Sequence, residues 1–363
     1  MNNYCPEIYK GLFVDRWNDN QLRIAPCCQA TPAVENISNF SFANSKYLNQ
    51  LRKEFDDGIK SEACSRCWHS EKVGKKSRRQ DMIEFFGTSD NNIELISLDH
   101  SATWACNSAC IMCYEGLSSL WATELGVSKT QLKSLGRFHQ KDNKFSDQLN
   151  FSNLKKLHFN GGEPLINNEH KATLNELNNI GQLGKVFISY NTNGTLYPDS
   201  ETIDLWSKAH LVRLFFSIDA IGDAFEYIRY PGKWNQTVEN LNKFKKEMPD
   251  NVLFGLNVTV GSYNILEMPD LLNWFNKNIS TNRSGDPSDF NWQFAYNFDP
   301  RDLCKPSIEH AIMLLKPIDK LKSIIEHLKI YKTNDRWINK LDNIDARRNT
   351  NWKKSLKIGK FYD

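Results

Sequence analysis

The stretch IELISLDHSATWACNSACIMCYE, Ile93–Glu115, runs from an apolar segment of β type straight into three cysteines, Cys106, Cys110 and Cys113. A short apolar run bounded by turn residues reads as a buried strand. Five more follow: LKKLHFN, KVFISYN, LVRLFFSID, VLFGLNVTV and FNWQFAYN. Between them, polar stretches with helical periodicity are expected at 116–125, 170–180, 200–209, 238–246 and 268–277. This alternation predicts an α/β fold with a parallel sheet, open or closed into a partial barrel. Ligands in such sheets gather at the carboxyl ends of the strands, so the residues just after each strand are the site candidates.

The bulk composition is that of a globular chain: 363 residues, 40% hydrophobic. The first twenty residues lack an apolar stretch, and no segment approaches the roughly 18 apolar residues that span a bilayer. A cytoplasmic protein without a membrane partner is expected. A net charge of +3 does not by itself imply nucleic acid. Two basic places, KVGKKSRRQ at Lys72–Gln80 and the C-terminal region from Lys316, are expected to be solvated faces; an anionic partner is the alternative. Nine cysteines in a chain read as cytoplasmic suggest metal ligands or redox groups rather than disulfides. They group as C-x2-C at Cys64 and Cys67 and C-x3-C-x2-C at Cys106–Cys113, with Cys5, Cys27 and Cys28 upstream and Cys304 alone.

Three thiolates at the spacing of Cys106, Cys110 and Cys113 can ligate three irons of a [4Fe–4S] cluster and leave the fourth open. On spacing alone, three-thiolate zinc and a chance group of buried cysteines remain alternatives. Further motifs follow the later strands: FNGGEP, NTNG, FSIDA, EYIRYPG and LNVTV. With these in order, the chain resembles the radical S-adenosylmethionine (SAM) superfamily. The resemblance implies a partial (β/α)6 barrel over 91–300, with its cluster on Cys106, Cys110 and Cys113. It also implies SAM contacts from the turn Gly161, Gly162, Glu163 and Pro164, and from Asn193, Ser217 with Asp219 beside it, Arg229 and Asn257. An arginine fork suits a methionyl carboxylate. Where members often carry an aromatic residue before the third cysteine, this chain has Met112, with Tyr114 just after; both are kept as cofactor contacts.

The upstream segment, with CPEIYKG, APCC and ACSRCWHS, resembles a subgroup bearing a SPASM/twitch-like auxiliary module ahead of the barrel. That resemblance implies a module at 1–90 whose Cys5, Cys27, Cys64 and Cys67 hold a second [4Fe–4S] cluster; structural zinc is the alternative. Cys27, directly after Pro26, is preferred to Cys28, which is expected to be a buried thiol. Residues 301–363 read as a helical extension.

The implied reaction is reductive cleavage of SAM to a 5′-deoxyadenosyl radical that abstracts hydrogen from a substrate. The auxiliary cluster would accept an electron in an oxidative modification of a peptide or protein side chain. A small molecule such as a sugar or nucleoside is the alternative substrate, and a flavodoxin- or ferredoxin-like protein the expected electron donor. A non-catalytic iron–sulfur or zinc protein binding nucleic acid is the distant alternative. Cys304 is a candidate hydrogen donor or auxiliary ligand, with an inert thiol as the simpler reading. His69 and His158 are expected in structural roles, and His100 at the active-site mouth.

Overall fold

The computed structural model describes residues 3–18, 20–87, 91–137, 149–166, 168–279, 289–330, 332 and 334–362. Nine strands form one sheet in the order β3-β2-β1-β4-β5-β6-β7-β8-β9. The six parallel strands of the barrel part are β4 (Ser97–Thr103), β5 (Lys156–Gly161), β6 (Phe187–Thr192), β7 (Leu211–Phe216), β8 (Val252–Val260) and β9 (Asp289–Phe294). Helices at Glu169–Asn179, Ser200–Lys208, Trp234–Glu247 and Met268–Asn278 lie between them in sequence, as the apolar periodicity predicts. The sheet does not close: β3 and β9 are its edges.

The first barrel strand begins four residues later than its apolar run suggests. Glu94 and Ile96 donate backbone hydrogen bonds to Tyr9 and Lys10, so 94–96 is tied to the turn ahead of β1 rather than to a ladder. Pairing starts at Ser97 because β1 (Gly11–Asn18) begins opposite it, with Gly11 against Ser97 in parallel register. The strand then runs through the polar residues of LDHSAT. His100 therefore sits within β4, buried against Phe159 and Thr173 on the helix side, and not at the mouth.

Ahead of the barrel, β1 pairs antiparallel with β2 (Gln21–Ala25), and β2 with β3 (Ala33–Asn36). These strands continue the barrel sheet. Gly11 makes this possible, since a Cβ there would lie 2.5 Å from the Pro26 carbonyl oxygen. The intended boundary near residue 90 falls at 88–90, outside the described residues.

Alternation along the strands separates two faces. Leu98, Phe159, Ile188, Tyr190, Leu214, Phe216 and Leu256 belong to the main core. Asp99, His158, Ser189, Asn191 and Asn257 lie on the opposite, inner face. Truncating one such core aromatic, for instance Phe159→Ala, costs about 3–5 kcal/mol by cavity formation. The N-terminal segment has its own small core of Cys5, Ile8, Tyr9, Leu51 and Phe55. It forms because the helix Lys46–Asp56, capped by Ser45, turns Leu51 and Phe55 toward it, while Leu48 packs on the main core.

The C-terminal part is helical, with Lys305–Leu315, Lys322–Leu328 and Arg336–Arg348. Among the described residues no helix is long and apolar enough to cross a membrane.

Candidate active site and a second thiol cavity

Two thiol sets occupy opposite ends of the sheet. Cys106, Cys110 and Cys113 follow Thr103 at the carboxyl end of β4. Cys5 precedes β1, and Cys27 follows the antiparallel β2, which places both at the amino end, where Gly11 faces Ser97. The length of β4 separates the two ends by roughly 20 Å at ~3.3 Å per residue.

The carboxyl-end loop is fixed by its neighbours. Gly162 and Glu163 donate backbone hydrogen bonds to Thr103 and Ala105, at 2.7 and 2.9 Å. Gly161 has φ +113°, and a Cβ on Gly162 would stand 2.2 Å from the Ala105 carbonyl oxygen. These glycines are thus required where the turn packs against the entry to the cysteine loop. Asn193 donates through Nδ2 to Asn107 at 2.7 Å and to Ser108 at 3.1 Å. Ala109 and Ile111 donate to the carbonyls of Tyr230 and Ile228.

Glu163, fully buried, accepts from the Asn193 backbone (2.7 Å), Thr192 (2.9 Å) and Leu165 (3.2 Å). It joins the ends of β5 and β6. Burial pushes its carboxyl up to about 7, and those donors only partly oppose this. Ser217 is half-buried, with its backbone on Thr192. Asp219 is buried, accepting from Arg229 Nε at 2.6 Å and the Thr259 backbone at 2.7 Å. Arg229 Nη1 reaches Cys110 Sγ at 3.6 Å. A hydrogen bond from Cys113, aided by Arg229, favours the Cys110 thiolate and pushes Cys113 up. Burial raises Cys106 to about 12. Asn257 donates to Asn191 at 3.1 Å on the inner face, and Asn191 meets His158 at 3.2 Å. Met112 packs on the main core, while Tyr114 is exposed.

One contributor lies far away in sequence. Arg348, at the end of Arg336–Arg348, donates to the Ala109 carbonyl at 2.7 Å and to Glu124, and lies over the rings of Trp121 and Tyr230. The basic C-terminus thereby braces the cysteine loop. A lone arginine 239 residues from its partner carries no sequence signal of this.

At the amino end, Cys5, Cys27, Cys64 and Cys67 line one small cavity together with Glu7 and Arg79. Burial raises all four thiols. Among the described residues no three histidine, cysteine or carboxylate donors converge as a single metal ion requires. Cys28 is absent from the cavity lining: its backbone N–H is on Asp99 (2.7 Å) and its sulfur 3.4 Å from Arg78 Nη1. Cys304 joins neither set; it caps Lys305–Leu315 beside Ser307 and Tyr362. His69 meets His327 at 3.1 Å, linking the N-terminal segment to the C-terminal helices.

The basic run Lys72–Gln80 is largely committed to structure. Arg78 pairs with Glu7 and Asp99, Arg79 with Glu71, and Lys76 with Asp81 and Glu84. Lys75 lies over the Trp292 ring and bonds its carbonyl.

Residues 102–275 match the family model of the Radical SAM superfamily. No curated protein matches the chain. Among solved structures, it is similar to native anSMEcpe with bound AdoMet, at 21% identity and a TM-score of 0.37, over 56% of this chain and 51% of that one. It is also similar to Streptococcus suis SuiB bound to S-adenosylmethionine, at 12% identity and 0.36, over 86% and 68%. SuiB bound to precursor peptide SuiA gives 13% and 0.33, over 89% and 68%. The chain thus spans about half the length of anSMEcpe.

Proposed function

We propose, from the premise that residues 102–275 are a radical SAM superfamily domain, that the chain uses SAM to oxidise a peptide or protein side chain held between its two thiol sets. The observation that carries this is the cysteine loop bonded to the ends of β5 and β6, with Cys110 beside the Arg229–Asp219 pair. The donor set fits a cluster: three thiols on one loop, one of them favoured as thiolate. Cys106, Cys110 and Cys113 would hold it. When bound, the cluster supplies the electron that cleaves SAM to methionine and a hydrogen-abstracting 5′-deoxyadenosyl radical.

The chain's own residues orient and shield. Gly161, Gly162, Glu163 and Pro164 set the turn beside the loop, and Asn193 keeps the loop against it. Asp219 holds Arg229 through Nε, and Arg229 is kept as the partner of the methionyl carboxylate. Ser217, Asn257, Met112 and Tyr114 are kept as contacts for the nucleoside part. Arg348 ties the cysteine loop at the Ala109 carbonyl.

Cys5, Cys27, Cys64 and Cys67 would hold the second [4Fe–4S] cluster, for which a cavity walled by four thiols is the support. Four thiolates close such a site, which suits electron acceptance. For a peptide substrate, the support is the polar inner face of Ser189, Asn191 and His158, the last kept neutral because burial lowers it to about 4. A flavodoxin- or ferredoxin-like donor is expected.

The test is anaerobic reconstitution. About eight irons per chain are expected for two clusters, with 5′-deoxyadenosine formed from SAM under dithionite. Bound zinc without that product would overturn the enzyme reading, and about four irons with full cleavage would overturn only the auxiliary cluster.

A further inference from the structure

Between the four-thiol cavity and the inner face of the barrel lies one buried charge chain. Glu7 lines the cavity and is 1% exposed. Its two carboxylate oxygens accept from Arg78 Nε at 2.7 Å and Nη2 at 2.5 Å. The same Nη2 reaches Asp99 on β4 at 3.0 Å. Asp99 also accepts from the Cys28 backbone, next to Cys27 in the cavity wall. Burial works against the Arg78 charge, but Asp99 and Glu7 outweigh it and hold the guanidinium well above its ordinary value. Lys156 on β5 is a further cation near this group, with Nζ on Met82. Arg79 faces the cavity as well, but its side chain is committed to Glu71 and the Tyr4 carbonyl.

A carboxylate at the wall of a four-thiolate site adds negative charge where reduction would add more. In a dry surrounding such a charge is felt strongly. Two cations stand near it: Arg79, on the cavity wall close to Cys5 and Cys67, and Arg78, which bonds Glu7 directly and whose fork is matched to two carboxylates at once. We infer that Arg78 and Glu7 are a positioning pair of opposite effect that sets how readily the four-thiol site accepts an electron: Arg78 eases reduction and Glu7 opposes it. This rests on the reading that Cys5, Cys27, Cys64 and Cys67 hold a cluster. It goes beyond that reading by assigning the site's redox poise to two residues that ligate nothing. It also makes Asp99 the point where the inner face touches that balance.

The test uses the full chain with Cys106, Cys110 and Cys113 all changed to Ala, so that only the amino-end site is loaded. About four irons per chain are expected after anaerobic reconstitution, and the midpoint is followed by EPR during a redox titration. Arg78→Gln should shift it to more negative potential, and Glu7→Gln to more positive. Arg78→Lys, which keeps the charge and loses the fork, should fall between parent and Arg78→Gln. General loosening of the segment would move both glutamine variants the same way, so opposite shifts are the diagnostic result. Unchanged midpoints, or shifts of one sign, overturn the inference while leaving the cluster in place. A parent that takes up no iron overturns the cluster reading and this inference with it. Should Arg78→Gln not fold, the Lys and Glu7→Gln variants still decide the sign.

Discussion

The two thiol sets are built by opposite strategies. At the carboxyl end, three cysteines lie within eight consecutive residues and draw their order from outside: the turns after β5 and β6, the Tyr230 and Ile228 carbonyls, and Arg348. At the amino end, four cysteines come from three separated segments and meet around a cavity flanked by a core of five residues. The first loop is held by the barrel whether or not it carries metal. The second set is where metal would hold the segments together, since a core that small contributes little.

The strongest way to break this contrast is one substitution at each end. Cys106→Ala should reduce 5′-deoxyadenosine formation to background and halve the reconstituted iron, while the unfolding midpoint of the apoprotein moves little. Cys64→Ala should also halve the iron, but leave SAM cleavage without substrate turnover in place. It should open residues 3–87 to proteolysis in the loaded protein, where Cys106→Ala does not. Equal proteolysis of both variants would mean that the amino-end set is not a cross-link.

A smaller effect comes from the buried carboxylates. Glu7 at the amino end is matched by a guanidinium, whereas Glu163 at the carboxyl end is held by neutral donors. Its folded carboxyl is raised from 4.5 to about 7 by burial. The folded state therefore binds the proton more tightly than the unfolded chain. The resulting stability is fully present below about pH 4.5 and is lost as pH rises through about 7. The apoprotein should lose on the order of 3 kcal/mol over that window from this group. In urea unfolding, Glu163→Gln should lack this slope; a parent and variant with parallel pH profiles would contradict the assignment.

Legibility followed the same divide. The barrel strands β5–β9 are readable because each is a short apolar run ended by a polar motif, and the structure keeps all of them. β4 is the exception: its ladder runs through Asp99 and His100, whose polarity reads as a strand end but is met by Arg78 on one face and by Thr173 on the other. The junction of β1 with β4 was not legible, because register between strands more than eighty residues apart leaves no local pattern. The GGEP glycines were legible as a tight turn. That Thr103–Ala105 fills the space of their missing side chains was not. Arg78, Arg79 and Arg348 read as surface charge, and only the fold reveals the carboxylates and carbonyls that bury them.

The smallest expected effect separates two adjacent thiols. Cys27 lines the four-thiol cavity and packs with Ala25 and Ala30. Cys28 turns the other way, toward Arg78, with its backbone bonded to Asp99. The pair lies in the turn that follows β2, closed by Ala30 donating to the Cys27 carbonyl, and this turn sends one thiol to the cavity and the other to Arg78. Cys27→Ser should therefore lose the amino-end iron. Cys28→Ser should keep the full complement, because the Asp99 hydrogen bond comes from the backbone and survives the change. Its stability should fall by no more than ~1 kcal/mol, the scale of one weak side-chain contact. Iron counted on the two purified variants decides the matter, and loss from Cys28→Ser with retention in Cys27→Ser would reverse the assignment of the fourth ligand.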